Sequence, residues 1–154
     1  MKFELWLIGK NDSYISEGIS IYEKRIKRYI QFEVKYFESN RKGTTPELIK
    51  NEESKLIMRN LKQRDYLIIL DEHGKDHSSP KFAAYIEKIL ISGTQKIVFL
   101  IGGAYGVDDA LKARASLLLS LSRMTFSHQI ARIIFAEQLY RAFTIINREP
   151  YHHS

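Results

Sequence analysis

Two runs of this sequence, Tyr66-Leu67-Ile68-Ile69-Leu70 and Ile97-Val98-Phe99-Leu100-Ile101, carry apolar side chains over the whole length of a strand. Successive side chains of a strand point to opposite faces of its sheet, so a run of this kind has to be covered on both sides. Parallel strands joined by crossover helices supply both covers. The expected fold class is therefore α/β, a mostly parallel sheet with helices on both faces.

The segments between and around these runs agree with that plan. Phe3, Leu5 and Leu7 alternate with Glu4, Trp6 and Ile8, a first strand over 2–8 closed by Gly9. After Asp12 and Ser13, either of which can cap, Ile15, Ile19, Tyr22, Ile26 and Tyr29 recur at steps of four and three, one face of a helix. Phe32, Val34 and Tyr36 form a second strand, and 38–45, with Arg41, Lys42 and Gly43, reads as a mobile polar loop. Pro46 opens a helix to about 61. A polar segment over 71–79 ends the strand at Leu70, and Ser79-Pro80 starts a helix facing inward through Phe82, Ile86 and Ile89. Asp108 caps a short helix through Arg114, 117–121 is a last buried strand, and 130 to about 146 forms the final helix. At 154 residues, 44% of them hydrophobic, and with no repeats or linkers, the expectation is one domain over 1–154.

The final helix is apolar on two sides. Ile130, Ile134, Tyr140 and Thr144 are read on one, Phe135, Leu139, Ala142 and Ile146 on the other. Such a helix is buried twice. Either it is a core helix covered from both sides, or its second face meets another copy of the chain in a homodimer.

Composition narrows the chemistry. No run approaches the roughly 18 apolar residues of a membrane span, and the amino terminus lacks the layout of a signal peptide, so a cytoplasmic protein is expected. There is no cysteine, and the five histidines lack metal-ligand spacing, so no metal is expected. A net charge of +6 favours a polyanionic partner without specifying one.

In a parallel sheet the segments after Leu70, Ile101 and Leu121 gather at one edge, where open α/β sheets bind ligands. Gly102-Gly103-Ala104-Tyr105-Gly106 permits close backbone approach to a ligand, or is simply a tight turn into the helix capped by Asp108. It is neither the G-x-G-x-x-G pattern nor a phosphate loop. His128 is either an acid or base near neutral pH or a cap of the last helix. Arg132 holds phosphate or pairs with Glu137 or another carboxylate. The tail with Tyr151 and His152 offers a stacking face, or frays.

Leu7-Ile8-Gly9-Lys10, Tyr22-Glu23-Lys24-Arg25, Leu70-Asp71 with Gly74-Lys75, Phe99-Leu100-Ile101-Gly102-Gly103 with Gly106, Leu119-Ser120-Leu121-Ser122, Met124-Thr125-Phe126, His128-Gln129 with Arg132, Glu137-Gln138-Leu139-Tyr140-Arg141-Ala142 and Tyr151-His152 occur in order from end to end of the chain. As an ordered set they are similar to the bacterial large-subunit ribosomal RNA pseudouridine N3-methyltransferases, single-domain members of the SPOUT superfamily.

The resemblance implies a C-terminal deep trefoil knot, a homodimer through the last helix, S-adenosylmethionine as methyl donor, and 23S ribosomal RNA within the ribosome as substrate. It places the donor at Leu70, Gly102, Leu121, Ser122, Arg123, Met124, Thr125 and Phe126, largely through backbone groups. For the reaction it makes His128, Arg132, Tyr151 and His152 candidates. His128, His152 or the sulfonium would favour loss of the imide N3 proton. Arg132 and Arg123 would contact phosphate or carbonyl groups, and Tyr151 would stack on the base. Two positions depart from the family: Ser127 stands where proline is usual, loosening the loop, and His153 where a basic residue commonly follows Tyr-His. The other readings are a SPOUT enzyme acting on transfer RNA and a non-catalytic RNA-binding protein of the same fold.

Overall fold

The computed structural model describes residues 1–38 and 45–153. In chain order the elements are β1 (Lys2–Ile8), α1 (Ser13–Ile26), β2 (Gln31–Phe37), α2 (Pro46–Asn60), β3 (Tyr66–Asp76), α3 (Ser79–Ile91), β4 (Lys96–Ile101), α4 (Asp109–Arg114), β5 (Leu117–Ser120) and α5 (His128–Ile146). The polar loop expected over 38–45, with Arg41 and Lys42, lies outside the described residues except for its end positions.

The strands hydrogen-bond in the order β2-β1-β4-β3-β5, every neighbouring pair parallel. Alternation along β1 and β4 divides the interior. Phe3, Leu5, Leu7, Ile97 and Phe99 enter a core shared with α1, α3 and α5. Trp6, Ile8, Val98 and Leu100 enter a smaller one closed by Ile57 of α2 and Leu111 of α4. The crossovers through α1 and α3 step one way along the sheet on one face, and those through α2 and α4 step the other way on the opposite face. Reversing both direction and face keeps one hand for all four, as twisted parallel strands require.

Local chemistry starts the helices. Thr45, Ser78, Asp108 and Ser127 each accept a hydrogen bond from a first-turn amide of α2, α3, α4 and α5. Asp12, at the head of α1, makes no such bond; its backbone N–H donates to Gln129 Oε1 at 2.9 Å, so α5 holds that end. Helix α1 ends at Ile26, yet Tyr29 still reaches the core by stacking on Phe143 with ring centres 5.4 Å apart.

Two expectations are corrected. The polar segment after Leu70 does not end β3, because it remains extended to Asp76 and pairs with β5. Leu70 and Lys75 both stand opposite Leu119, so the intervening residues bulge out and return. The two sides read on the last helix also regroup. Tyr140 packs against Tyr22, Tyr29 and Tyr151, and Thr144 is fully buried, whereas Ile130 remains 36% exposed and Ile134 is half-buried.

At the amino-terminal edge of the sheet Glu4, 1% exposed, receives Trp6 Nε1 at 2.7 Å and lies 3.2 Å from the ammonium groups of both Lys2 and Lys35. Burial pushes its carboxyl up, but the bonds from Trp6, Lys35 and Lys2 outweigh burial and hold it below the ordinary 4.5. A carboxyl lowered by folding stabilises the native state above that ordinary value and ceases to do so as pH falls below it, toward the folded value. Denaturation titrations from about pH 7 to about pH 3 should show Glu4→Gln losing less stability on acidification than the wild type; equal pH dependence would remove Glu4 from the acid response. Gly74 is a steric requirement, since a Cβ there would lie 2.5 Å from the Leu118 carbonyl oxygen. Gly74→Ala should destabilise by about 1–3 kcal/mol in urea denaturation, as overpacking does, with the unfolding slope unchanged.

Candidate active site

After β3 the chain turns to α3 on one face, and after β4 to α4 on the other. Divergence of neighbouring loops opens a crevice at the carboxyl ends of the strands. The cavity there has a volume of about 470 Å³, within the range of roughly 300–1,000 Å³ common for small-molecule sites.

Leu70, Gly102, Leu121, Ser122, Met124, Thr125 and Phe126 all border this cavity. The bulge of β3 after Leu70 and the segments after β4 and β5 thus meet, as the sequence reading expected of these three loops. Arg123 does not join them. Ser122 Oγ accepts the Met124 N–H at 3.0 Å, and this tight turn leaves the Arg123 side chain 91% exposed, where its Nε donates to Asp76 at 2.9 Å. Thr125 Oγ1 donates to Glu72 Oε2 at 3.0 Å, tying the loop after β5 to the bulge of β3.

The glycine segment forms the facing wall. Gly106, with φ of +77°, returns its N–H to the Gly103 carbonyl at 3.1 Å. Of the two readings left open by the sequence the structure shows the turn, and Gly102 to Gly106 also border the cavity.

Polar groups that the sequence reading did not single out complete the lining. Asp71, paired with Lys112 at 3.4 Å, and Glu72 place carboxylates on one side, and Lys50 and Tyr105 reach in from α2 and the glycine turn. Asp71 was readable as the residue directly after a buried strand. Lys50 and Lys112 carried no signal, because their helices reach the cavity only through the fold. Apolar side chains, exposed backbone and polar groups of both signs suit a partly flat, polar-edged ligand.

The four candidates for the reaction separate. His128, the first residue of α5, borders the cavity. Arg132 is fully buried and donates to the Ile8 and Gly9 carbonyls and, at 2.8 Å, to Asn11 Oδ1. It therefore fastens α5 to the end of β1 and offers no guanidinium to solvent, which corrects the expected phosphate contact.

Tyr151 and His152 lie farther along α5. The Tyr151 hydroxyl donates to Glu137 Oε1 at 3.0 Å, and Arg141 donates to His152 Nδ1 at 3.1 Å. A guanidinium has no acceptor, so the neutral His152 ring carries its proton on Nε2. Burial, then the bond to Glu137, pushes the Tyr151 phenol up to about 12. It stays protonated at neutral pH. Glu137 and Arg141, which hold Tyr151 and His152, follow Ala131 at the cavity by six and ten residues, about 9 and 15 Å of helix, and neither tail residue borders the cavity of its own chain.

Comparison with known proteins gives one consistent result. The family described as "Predicted SPOUT methyltransferase" matches residues 1–152. A protein of Cytophaga hutchinsonii is 46% identical over 99% of this chain and 100% of its own length, and one of Parabacteroides distasonis is 45% identical over 99% of each. One of Geotalea daltonii is 43% identical over 97% of each, and all three are named ribosomal RNA large subunit methyltransferase H. Among solved structures, a Legionella pneumophila protein described as a methyltransferase with bound S-adenosylmethionine shares the fold at a TM-score of 0.50 and 13% identity, over 92% of this chain and 66% of that one.

Arg132→Met should lower stability by about 3 kcal/mol or more in chemical denaturation, because buried carbonyls lose a charged donor. A variant as stable as the wild type would mean that α5 is held to β1 by packing alone.

Proposed function

The chain belongs to the SPOUT methyltransferase family, and from that premise we propose that it transfers the methyl group of S-adenosylmethionine to N3 of a pseudouridine in 23S ribosomal RNA, on the assembled ribosome in the cytoplasm. The observation that carries the proposal is the cavity built from Leu70, Gly102 and the loop from Leu121 to Phe126 in a chain matched end to end by relatives named for this class of reaction. No helix among the described residues is long and apolar enough to cross a membrane, and no group of three or more histidines or carboxylates among them could hold a metal ion.

The residues present fit the donor. Leu121, Met124 and Phe126 would pack around adenine while backbone groups of the three loops bond its edge, and the exposed Glu72 carboxylate suits its positive charge. When bound, S-adenosylmethionine supplies an electrophilic methyl group on a sulfonium. The protein then has to hold the target nitrogen in line with that bond and favour loss of its proton, so positioning carries much of the rate. His128 is the candidate already at the cavity, and a neutral imidazole there can accept the imide proton. Tyr151, protonated at neutral pH, serves as a hydrogen-bond donor or stacking surface.

The tail reaches a cavity only if a second chain supplies it. We infer a homodimer through α5, with Ile130 and Ile134 at the contact and Tyr151 and His152 completing the partner's site. The same proposal includes one domain over 1–154, supported by the five-stranded sheet that the elements share, and the trefoil knot that the family resemblance implies.

The test is nucleoside mass spectrometry after incubation with labelled S-adenosylmethionine and whole ribosomes or transfer RNA. Label in 3-methylpseudouridine from ribosomes is expected. Label only in transfer RNA would move the protein to another SPOUT reaction, and no label alongside an active control would favour a non-catalytic RNA-binding protein. His128→Ala should reduce the rate by about 10²-fold with donor affinity preserved, whereas an unchanged rate would take the proton-transfer role from it.

A further inference from the structure

Glu53 of α2 is 3% exposed, and neither of its carboxylate oxygens has a hydrogen-bond partner among the described residues. Glu4, the comparably buried carboxylate, sits among a tryptophan N–H and three lysines. An ionised group removed from water without a partner is among the costliest arrangements in a folded chain. Glu53 also has a specific address. A Cβ on Gly103 would lie 2.8 Å from its Oε1 and 3.3 Å from its Oε2, so the carboxylate occupies the space that a side chain at 103 would take.

Gly103 is the hinge of the wall facing the donor loop. Its carbonyl closes the turn with the Gly106 N–H, its other side borders the cavity, and the turn exposes Tyr105 at the rim. The neighbour of Glu53 fixes the far end of the same segment, because Ser54 Oγ accepts the Asp108 N–H at 2.9 Å and Asp108 in turn caps α4. One turn of α2 thus grips residues 103–108 at both ends, with a satisfied bond at 108 and an unsatisfied carboxylate at 103. Lys50, three residues before Glu53, does not neutralise it, being paired with Glu47 at 3.1 Å.

Resting on the donor site assigned above, we propose that Glu53 is a positioning residue for methyl-donor binding: its carboxylate is the acceptor for the backbone N–H groups of the 103–105 turn when that turn closes on the ligand. The cost of the bare carboxylate is carried by the empty protein and relieved on binding, so the donor is held more tightly than its direct contacts alone provide. Glu53 touches no reacting atom and acts through the glycine turn.

Because the group is a liability without ligand and an asset with it, stability and affinity should move in opposite directions. The experiment compares wild type, Glu53→Leu and Glu53→Gln by thermal unfolding without ligand and by calorimetric titration with S-adenosylmethionine. Glu53→Leu should unfold at or above the wild-type temperature while binding the donor at least about tenfold more weakly, the loss of roughly one charged hydrogen bond. Glu53→Gln, which keeps one acceptor oxygen, should lose less affinity than Glu53→Leu. Donor affinity within twofold of wild type in both variants overturns the inference, as does a parallel fall of melting temperature and affinity, which would mark a merely structural residue. Wild-type protein that takes up no donor overturns the donor-site assignment and this inference with it, whereas normal wild-type uptake with unaffected variants sinks the inference alone.

Discussion

Phe99 and Leu100 are neighbours in β4, both fully shielded from solvent, and they enter different cores. That double burial is the constraint on which the rest of the structure depends. It requires helices on both faces, and helices on both faces require crossovers that keep the strands parallel. Parallel strands bring all their carboxyl ends to one edge, so the loops after β3, β4 and β5 have to meet. The cavity is a consequence of covering the sheet twice.

Polar groups inside such a sheet are tolerated where the surrounding structure pairs them, and the exceptions point to the site. Glu4 is surrounded by donors at the amino-terminal edge, away from the cavity, and Arg132 spends its donors on carbonyls freed where β1 ends. Both fix the scaffold. Glu53 differs in facing a glycine turn with no donor to accept from among the described residues, behind the cavity wall formed by Gly102 to Gly106. The contrast follows from what each element has to do. Strand ends and the root of α5 stay fixed, while a wall that admits a ligand needs a second arrangement.

Much of the fold was legible because burial writes itself into hydrophobic period. The bounds of β1 and the cap of α4 by Asp108 were read from Phe3 to Ile8 and from one aspartate before a short helix. Extension of β3 to Asp76 was not legible, since 71–76 is polar and carries no apolar alternation: Lys75 and Asp76 rejoin the edge strand β5 through backbone pairing, which leaves no mark on hydrophobic period. Tyr140 and Thr144 were read with Ile130 and Ile134 by period alone, but α1 and the returning tail cover the first two and leave the isoleucines at the surface. At the site, Leu70, Gly102 and Leu121 were legible as strand ends, whereas Arg123 was carried outward by a two-residue turn that a family pattern of residues does not encode.

The sequence by itself determined the class of fold, the edge of the sheet where the cavity opens and, through the ordered motifs, the family, because these depend on which residues have to leave water and on the order of motifs along the chain. Only the tertiary structure decided that Arg132 is a buried brace, that Tyr151 and His152 are held about 9 and 15 Å along α5 from the cavity their own chain forms, and that Glu53 backs the glycine turn. Each of these is a relation between groups far apart in the chain, set by how α2 and α5 dock on the sheet. Hydrophobic period records that a face is buried and carries no information about what it is buried against.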